Sequence, residues 1–304
     1  MDFFTSKITK TPLDHAALID AVEALCKEFP DLSFNYLGNS ILGRGIPLLS
    51  LGHGKRQVLY VGAHHGMEWL TSTLLLHFLG DLLQALRKKQ SPCGVSARML
   101  TEICSIHVIP MLNPDGVEYQ IHGVGNDNPI RERLIAVNGG EDFSHWQANS
   151  RGIDLNHNYN ADFWEYKRLA ASEGIDQAAP TRFPGERPES EPEVAALCKF
   201  IRYHAPISGL LTLHTQGEEI YPGNNPTQQS RAIADRLSKL CGYRVAAPEG
   251  LASMSGLTDW CTEVCKIPSF TLECGRGENP LPISAEPSIY HILRKALFCF
   301  PTLV

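Results

Sequence analysis

The sequence has no long, uninterrupted apolar run. Its longest apolar stretch, residues 69–86, is broken by His77 and Asp81, which fits a core helix rather than a membrane span. Positive charge is also short. The 27 Lys and Arg against 33 Asp and Glu leave a net charge of -6, so no general attraction to nucleic acid or an anionic membrane is expected. The opening segment MDFFTSKITKTPLDH lacks a basic stretch followed by an apolar core, so no signal peptide is expected. The nine cysteines are odd in number and scattered, which argues against a disulfide framework and for reduced thiols in a cytoplasm. Cys261 and Cys265 lack a second Cys or His pair, so they are not read as a metal clip. No internal repeat, low-complexity tract or linker divides the chain, and a single domain over residues 1–304 is expected.

What is present is an ordinary globular composition, 43% hydrophobic and 20% charged. Residues 12–29 read as a helix with Asp14 as N-cap. Short apolar runs at 32–37, 46–51, 57–62, 105–110, 208–213 and 268–272 read as strands. Pro47 cannot donate to a ladder, so the second run is expected at an edge or weakly paired at its start. Helices are expected at 69–86, 95–103, 191–204, 228–241 and 288–298, with a turn at 111–116 and irregular polar segments at 123–150 and 166–192. Strands alternating with helices predict an α/β protein whose mixed, mainly parallel sheet lies between helices.

Chemistry concentrates where apolar runs end. The run QVLYVGA is followed by His65 and Glu68, SGLLTL by His214, and SFTL by Glu273. In open α/β sheets, sites lie outside the carboxyl ends of the strands. Taken alone, Glu68 reads equally well as a carboxylate at a helix N-terminus and His65 as incidental. Three strand ends carrying imidazole and carboxylate groups point instead to one shared site.

At this point the chain resembles the zinc carboxypeptidase family. The matching pieces are His65-Gly66-Met67-Glu68, Asn113-Pro114-Asp115-Gly116, residues 149–156 (NSRGIDLN), Leu213-His214-Thr215 and Phe270-Thr271-Leu272-Glu273, in the family's order across most of the chain. The resemblance implies an eight-stranded mixed sheet with one Zn²⁺ at its carboxyl edge, held by His65, Glu68 and His214. Two imidazoles and a carboxylate leave one position for water, whose pKa zinc lowers to about 7. The resemblance further implies Glu273 as general base, Arg151 as the cation at the tetrahedral oxyanion, and Asn156 as a ligand for the substrate carboxylate. The bland readings are a buried histidine, a helix cap, a strand-end carboxylate and a solvated loop arginine.

Two departures bear on substrate. Histidine stands at 157 where a typical carboxypeptidase has arginine, and imidazole cannot grip a carboxylate with a bidentate fork. No counterpart of the family's mobile tyrosine precedes Asp259-Trp260. The runs NHNY, HTQGEEIY and ECGRGENPLP are similar to a bacterial branch, the γ-D-glutamyl-L-diamino acid endopeptidases and murein peptide amidases. That likeness implies hydrolysis of the γ-D-glutamyl–meso-diaminopimelate bond in small cell-wall-derived peptides, with His157, Arg276, Glu218 and Glu219 reading the substrate's charges. The other readings are a deacylase of N-acyl amino acids, an ordinary metallocarboxypeptidase, and a non-catalytic peptide binder.

Overall fold

The computed structural model describes residues 11–204, 206–248 and 250–304, so the N-terminal segment read for a signal peptide lies mostly outside it. Helix α1 (His15–Glu28) begins at Asp14, whose carboxylate accepts from Ala17 N at 2.8 Å. Strands β1 (Ser33–Asn39), β2 (Gly45–Leu51) and β3 (Arg56–Val61) follow. Helix α2 (Leu70–Arg87) then crosses one sheet face. Helix α3 (Ala97–Ile103), strand β4 (Cys104–Ile109) and helices α4 (Pro114–His122), α5 (Arg131–Asn138), α6 (Phe163–Ser172) and α7 (Pro192–Tyr203) come next. Strand β5 (Ile207–His214), β6 (Glu219–Tyr221), helix α8 (Gln228–Cys241) and β7 (Arg244–Val245) precede the short α9 (Leu257–Asp259). Strand β8 (Ser269–Glu273) and helix α10 (Glu286–Leu303) close the chain.

The eight strands form one sheet in the order β1-β2-β4-β3-β5-β8-β6-β7. The central β4, β3, β5 and β8 run parallel, while β1 and β2 on one side and β6 on the other join antiparallel. The mixed, mainly parallel sheet expected from the sequence is the one observed. Period-two alternation divides each central strand between two cores. Val58, Tyr60, Leu211 and Leu213 face α1, α2, α8 and α10, whereas Leu59, Val61 and Leu210 face α7 and the turn carrying Trp260. Helix α2 is apolar nearly all round, and Leu74, Leu75, Leu79 and Leu82 are fully buried. Each such leucine stabilises the fold by roughly 1.5–3 kcal/mol.

Pro47 tests one expectation in detail. Strand β2 is not at the edge; β1 is. Yet β2 pairs with β4 only from Leu49 to Leu51, so the proline lies where the ladder on that side has not begun. Other elements differ from the sequence reading. The turn expected at 111–116 opens helix α4, with Asn113 as N-cap and Pro114 at its first position. The segments expected to be irregular contain α5 and α6. In α5 only Leu134 is buried, so there was no apolar stripe to detect. Strands β6 and β7 have three and two residues, too few for alternation to register.

Candidate metal centre and active site

Backbone turns aim the first two donors. Ala63, just past β3, has a positive φ of 47°, and the chain then makes a single 3₁₀ turn over Gly66–Glu68. Thr71 ties this turn to α2: its hydroxyl accepts from Ala63 N at 2.8 Å and donates to Glu68 O at 2.8 Å. Gly66 lies against α4, and a Cβ there would sit 2.3 Å from Gly116 O, so no side chain fits. Asn113 donates to His64 O, Gln147 O and Ala148 O within 3.1 Å. Buried Asp115 accepts from Ser40, Leu42 N, Arg44 and Ser150. The Asn-Pro-Asp-Gly run is therefore the scaffold beneath the donor turn and carries no group in the site.

His214 ends β5 and Glu273 ends β8, and the two are paired in register on neighbouring parallel strands. His65, Glu68 and His214 each offer a ligand atom within 4.8 Å of the others. Glu68 Oε1 lies 2.9 Å from His65 Nδ1, and Glu68 Oε2 lies 2.9 Å from His214 Nδ1. Both imidazoles thus turn Nδ1 to a common point beside one carboxylate, the donor set of a catalytic zinc site with a position open for water. His65 Nε2 meets Asp154 Oδ1 at 3.1 Å, the outer carboxylate that fixes a ligating imidazole. Among the described residues, buried His214 Nε2 has no hydrogen-bond partner, so its ring is held from the Nδ1 side.

Charge is dense here. Burial pulls the His65 pKa down, but Glu68 and Asp154 outweigh it and hold the ring well above the usual histidine range. Burial would raise the Glu68 pKa, but the two imidazoles bring it below the usual carboxylate range. Glu273 is pushed well above that range by burial, then by the charges of Glu68 and Glu219. An ion bound at the donors would replace these mutual interactions.

Glu273 faces the donors across a cavity of about 160 Å³, also bordered by Asn156, His157, Tyr221 and Thr258. Asn156 and His157 belong to a 3₁₀ turn capped by Asp154, which accepts from Asn156 N at 3.1 Å. Asn156 Oδ1 accepts from Leu257 N at 3.2 Å. His157 Nδ1 donates to Met254 O at 3.0 Å, and its ring stacks on Tyr166 at 4.2 Å between centroids. Nε2 is left for the cavity. Tyr221 also borders it, its hydroxyl 2.5 Å from Glu219 Oε2.

The structure brings His65, Glu68, His214, Glu273, Asn156 and His157 together and leaves the other predicted residues aside. Arg151 borders neither cavity beside the donors. Its side chain is 49% exposed and reaches Glu191 Oε2 at 3.7 Å. Arg151 stands in a turn closed by Gly152 N to Asn149 O and Asn149 N to Ile153 O. Glu218 pairs with Arg276 at 2.6 Å and Glu219 with Arg244, so these charges neutralise one another beside the cavity and do not line it. Sequence reasoning missed Asp154, Tyr221 and Thr258. Asp154 lay inside a quoted motif, with no apolar run to flag it.

The model of the family described as zinc carboxypeptidase matches residues 18–285. The chain belongs to the zinc carboxypeptidase family. It is a hydrolytic enzyme of a family that uses one catalytic zinc, and the donors above fit that ion. Among similar proteins, gamma-D-glutamyl-L-diamino acid endopeptidase 1 of Lysinibacillus sphaericus is 32% identical over 280 residues, covering 91% of this chain and 69% of that protein. The uncharacterized protein YqgT of Bacillus subtilis (strain 168) is 32% identical over 297 residues, 94% of this chain and 77% of its own length. The fold matches thrombin activatable fibrinolysis inhibitor with a TM-score of 0.76 at 18% identity, covering 99% of this chain and 77% of that one. It also matches murein-tripeptide amidase MpaA from Escherichia coli O157 with a TM-score of 0.51 at 18% identity, covering 86% and 92%.

Proposed function

We propose that this enzyme hydrolyses the γ-D-glutamyl–meso-diaminopimelate amide bond of small wall-derived peptides. The observation that carries the reading is the 32% identity, over most of this chain, to a gamma-D-glutamyl-L-diamino acid endopeptidase. Zinc at His65, Glu68 and His214 would polarise the scissile carbonyl and acidify a water. Glu273, across the cavity, would serve as the general base, accepting the proton of the attacking water and returning it to the leaving amine. Asn156, which borders the same cavity, supplies an amide to the substrate. The cavity of about 160 Å³ has room for the end of a peptide. We read the chain as one catalytic unit, since its single sheet takes strands from residue 33 to residue 273. All nine cysteines are free, which favours a reducing, cytoplasmic setting. Among the described residues no helix is long and apolar enough to cross a membrane.

The histidine at 157 favours a second reading, deacylation of N-acyl amino acids. Zinc-loaded protein given L-Ala-γ-D-Glu-meso-diaminopimelate, a matched α-linked peptide and an N-acyl amino acid separates the two. Release of diaminopimelate from the γ-linked peptide alone, abolished by Glu273→Gln, is expected. Turnover of only a comparison substrate would overturn the bond assignment and leave the zinc hydrolase.

A further inference from the structure

A second cavity, of about 200 Å³, opens on the other side of His65 and His157 and is bordered by Gln147, Asp154, Thr181 and Arg182. Its arginine, exposed on the cavity rim, is anchored through its backbone. Arg182 N donates to Asp154 Oδ2 at 2.9 Å, and Arg182 O accepts from the Tyr166 hydroxyl at 2.8 Å. On either side, Phe183 O accepts from Asp154 N at 2.8 Å, and Pro180 O accepts from Gln147 N and Ala148 N within 3.0 Å. Arg182 itself has φ of 65°, a left-handed conformation that an arginine rarely adopts unless its surroundings impose it. The residue is thus fixed to the same carboxylate that orients His65.

Its guanidinium differs from others near the site. Arg151 reaches Glu191, Arg244 pairs with Glu219 and Arg276 with Glu218. The Arg182 guanidinium has no hydrogen-bond or ion-pair partner among the described residues. Of the two acids that border the cavity, Glu173 is exposed, and buried Asp154 is already engaged by His65, Asn156 N and Arg182 N. An unpaired fork of donors on a polar cavity that adjoins the reacting centre suits a carboxylate.

We propose that Arg182 binds a carboxylate of the substrate in this second cavity and selects substrates carrying a free acid within reach of the scissile bond. The inference rests on the peptidase reading above and names how that site recognises its substrate. The test compares wild type, Arg182→Gln and Arg182→Lys on L-Ala-γ-D-Glu-meso-diaminopimelate and on its carboxamides, each with one carboxylate converted. Arg168→Gln, on the solvent side of α6, serves as the charge control.

In Arg182→Gln, KM for the free acid should rise about 10- to 100-fold with kcat within about threefold, the usual loss of a charge-assisted hydrogen bond. The lysine variant should recover part of it. One carboxamide should be poor for wild type and indifferent to the substitution. Calorimetric binding of the intact tripeptide to the metal-free protein should weaken by the same factor. An unchanged KM would overturn the proposal, and so would a kcat loss equal for the acid and every carboxamide, which would make Arg182 an oxyanion donor. If wild type releases no diaminopimelate, the bond assignment fails; the same acid-against-carboxamide binding comparison, made with whichever peptide is turned over, still decides the role of Arg182.

Discussion

The two walls of the cleft are made differently. On one wall His214 and Glu273 end adjacent strands in register, and their separation is set by the sheet ladder. On the other, Asp154, Asn156, His157 and Arg182 stand on segments without regular strands, positioned by side-chain hydrogen bonds to backbone. The strand wall is stiff because many ladder bonds and a buried apolar core share the work of holding it. The loop wall depends on a few polar groups, so each matters individually. The chemistry that every relative needs can sit on the first wall, and substrate choice can vary on the second.

The largest effects should come from the donors that join the walls. Glu68→Gln or His214→Ala should lower kcat/KM by at least about 10³-fold, with loss of bound zinc measured by metal analysis after dialysis. A variant that keeps both zinc and activity would mean that the donors are not where the ion sits. Next, Glu273→Gln should lower kcat by about 10²- to 10⁴-fold while zinc is retained. That result would place the strand wall's contribution in proton transfer rather than metal binding. A kcat near wild type would shift the base to another group.

The loop wall is probed by Asp154→Asn. Asp154 accepts from His65, Asn156 N and Arg182 N, so one substitution loosens the metal ligand and the substrate side together. Zinc affinity, read by competition with a chelator, should fall about 10- to 100-fold, as for other outer partners of ligating histidines. If only KM changed, with zinc affinity intact, the carboxylate would serve the substrate side alone.

The same contrast explains what could be read from sequence. Donors at the ends of apolar runs announce themselves, because a strand buried on both faces leaves its terminal His or Glu conspicuous. His214 and Glu273 stand out for that reason, and so does the mixed sheet, whereas His65 and Glu68, beyond the end of their strand, are read as ligands only through the resemblance to the family. Asp154 and Arg182 gave no such signal. Their importance comes from long-range pairings, with 89 residues separating Asp154 from His65. The direction of Arg151 is set in the same way, by Asn149 and Glu191 and not by neighbours in a pattern. Helix α5 was missed because one buried leucine makes no stripe.

The smallest effect expected lies beneath the loop wall. There Glu193 is fully buried beside Asp115 and Glu191, accepting from Ile41 N on Oε1, while Oε2 has no hydrogen-bond partner among the described residues. Burial, then the neighbouring acids, pushes its pKa from the usual 4.5 up to about 8. The folded protein therefore holds this proton where the unfolded chain would release it. Stability from the group is fully present below pH 4.5 and is lost as pH rises through 8. Glutamine mimics the protonated acid, so Glu193→Gln should match wild type near pH 5 and exceed it by on the order of 2 kcal/mol above pH 8. Denaturant unfolding at the two pH values reads the difference. Leu213 belongs to the apolar core and loses only aliphatic contacts, so Leu213→Ala should destabilise about equally at both values. A pH-independent gap for Glu193→Gln would mean that the acid is already neutralised by a neighbour, and burial beside Asp115 and Glu191 would then carry no cost that pH can reveal.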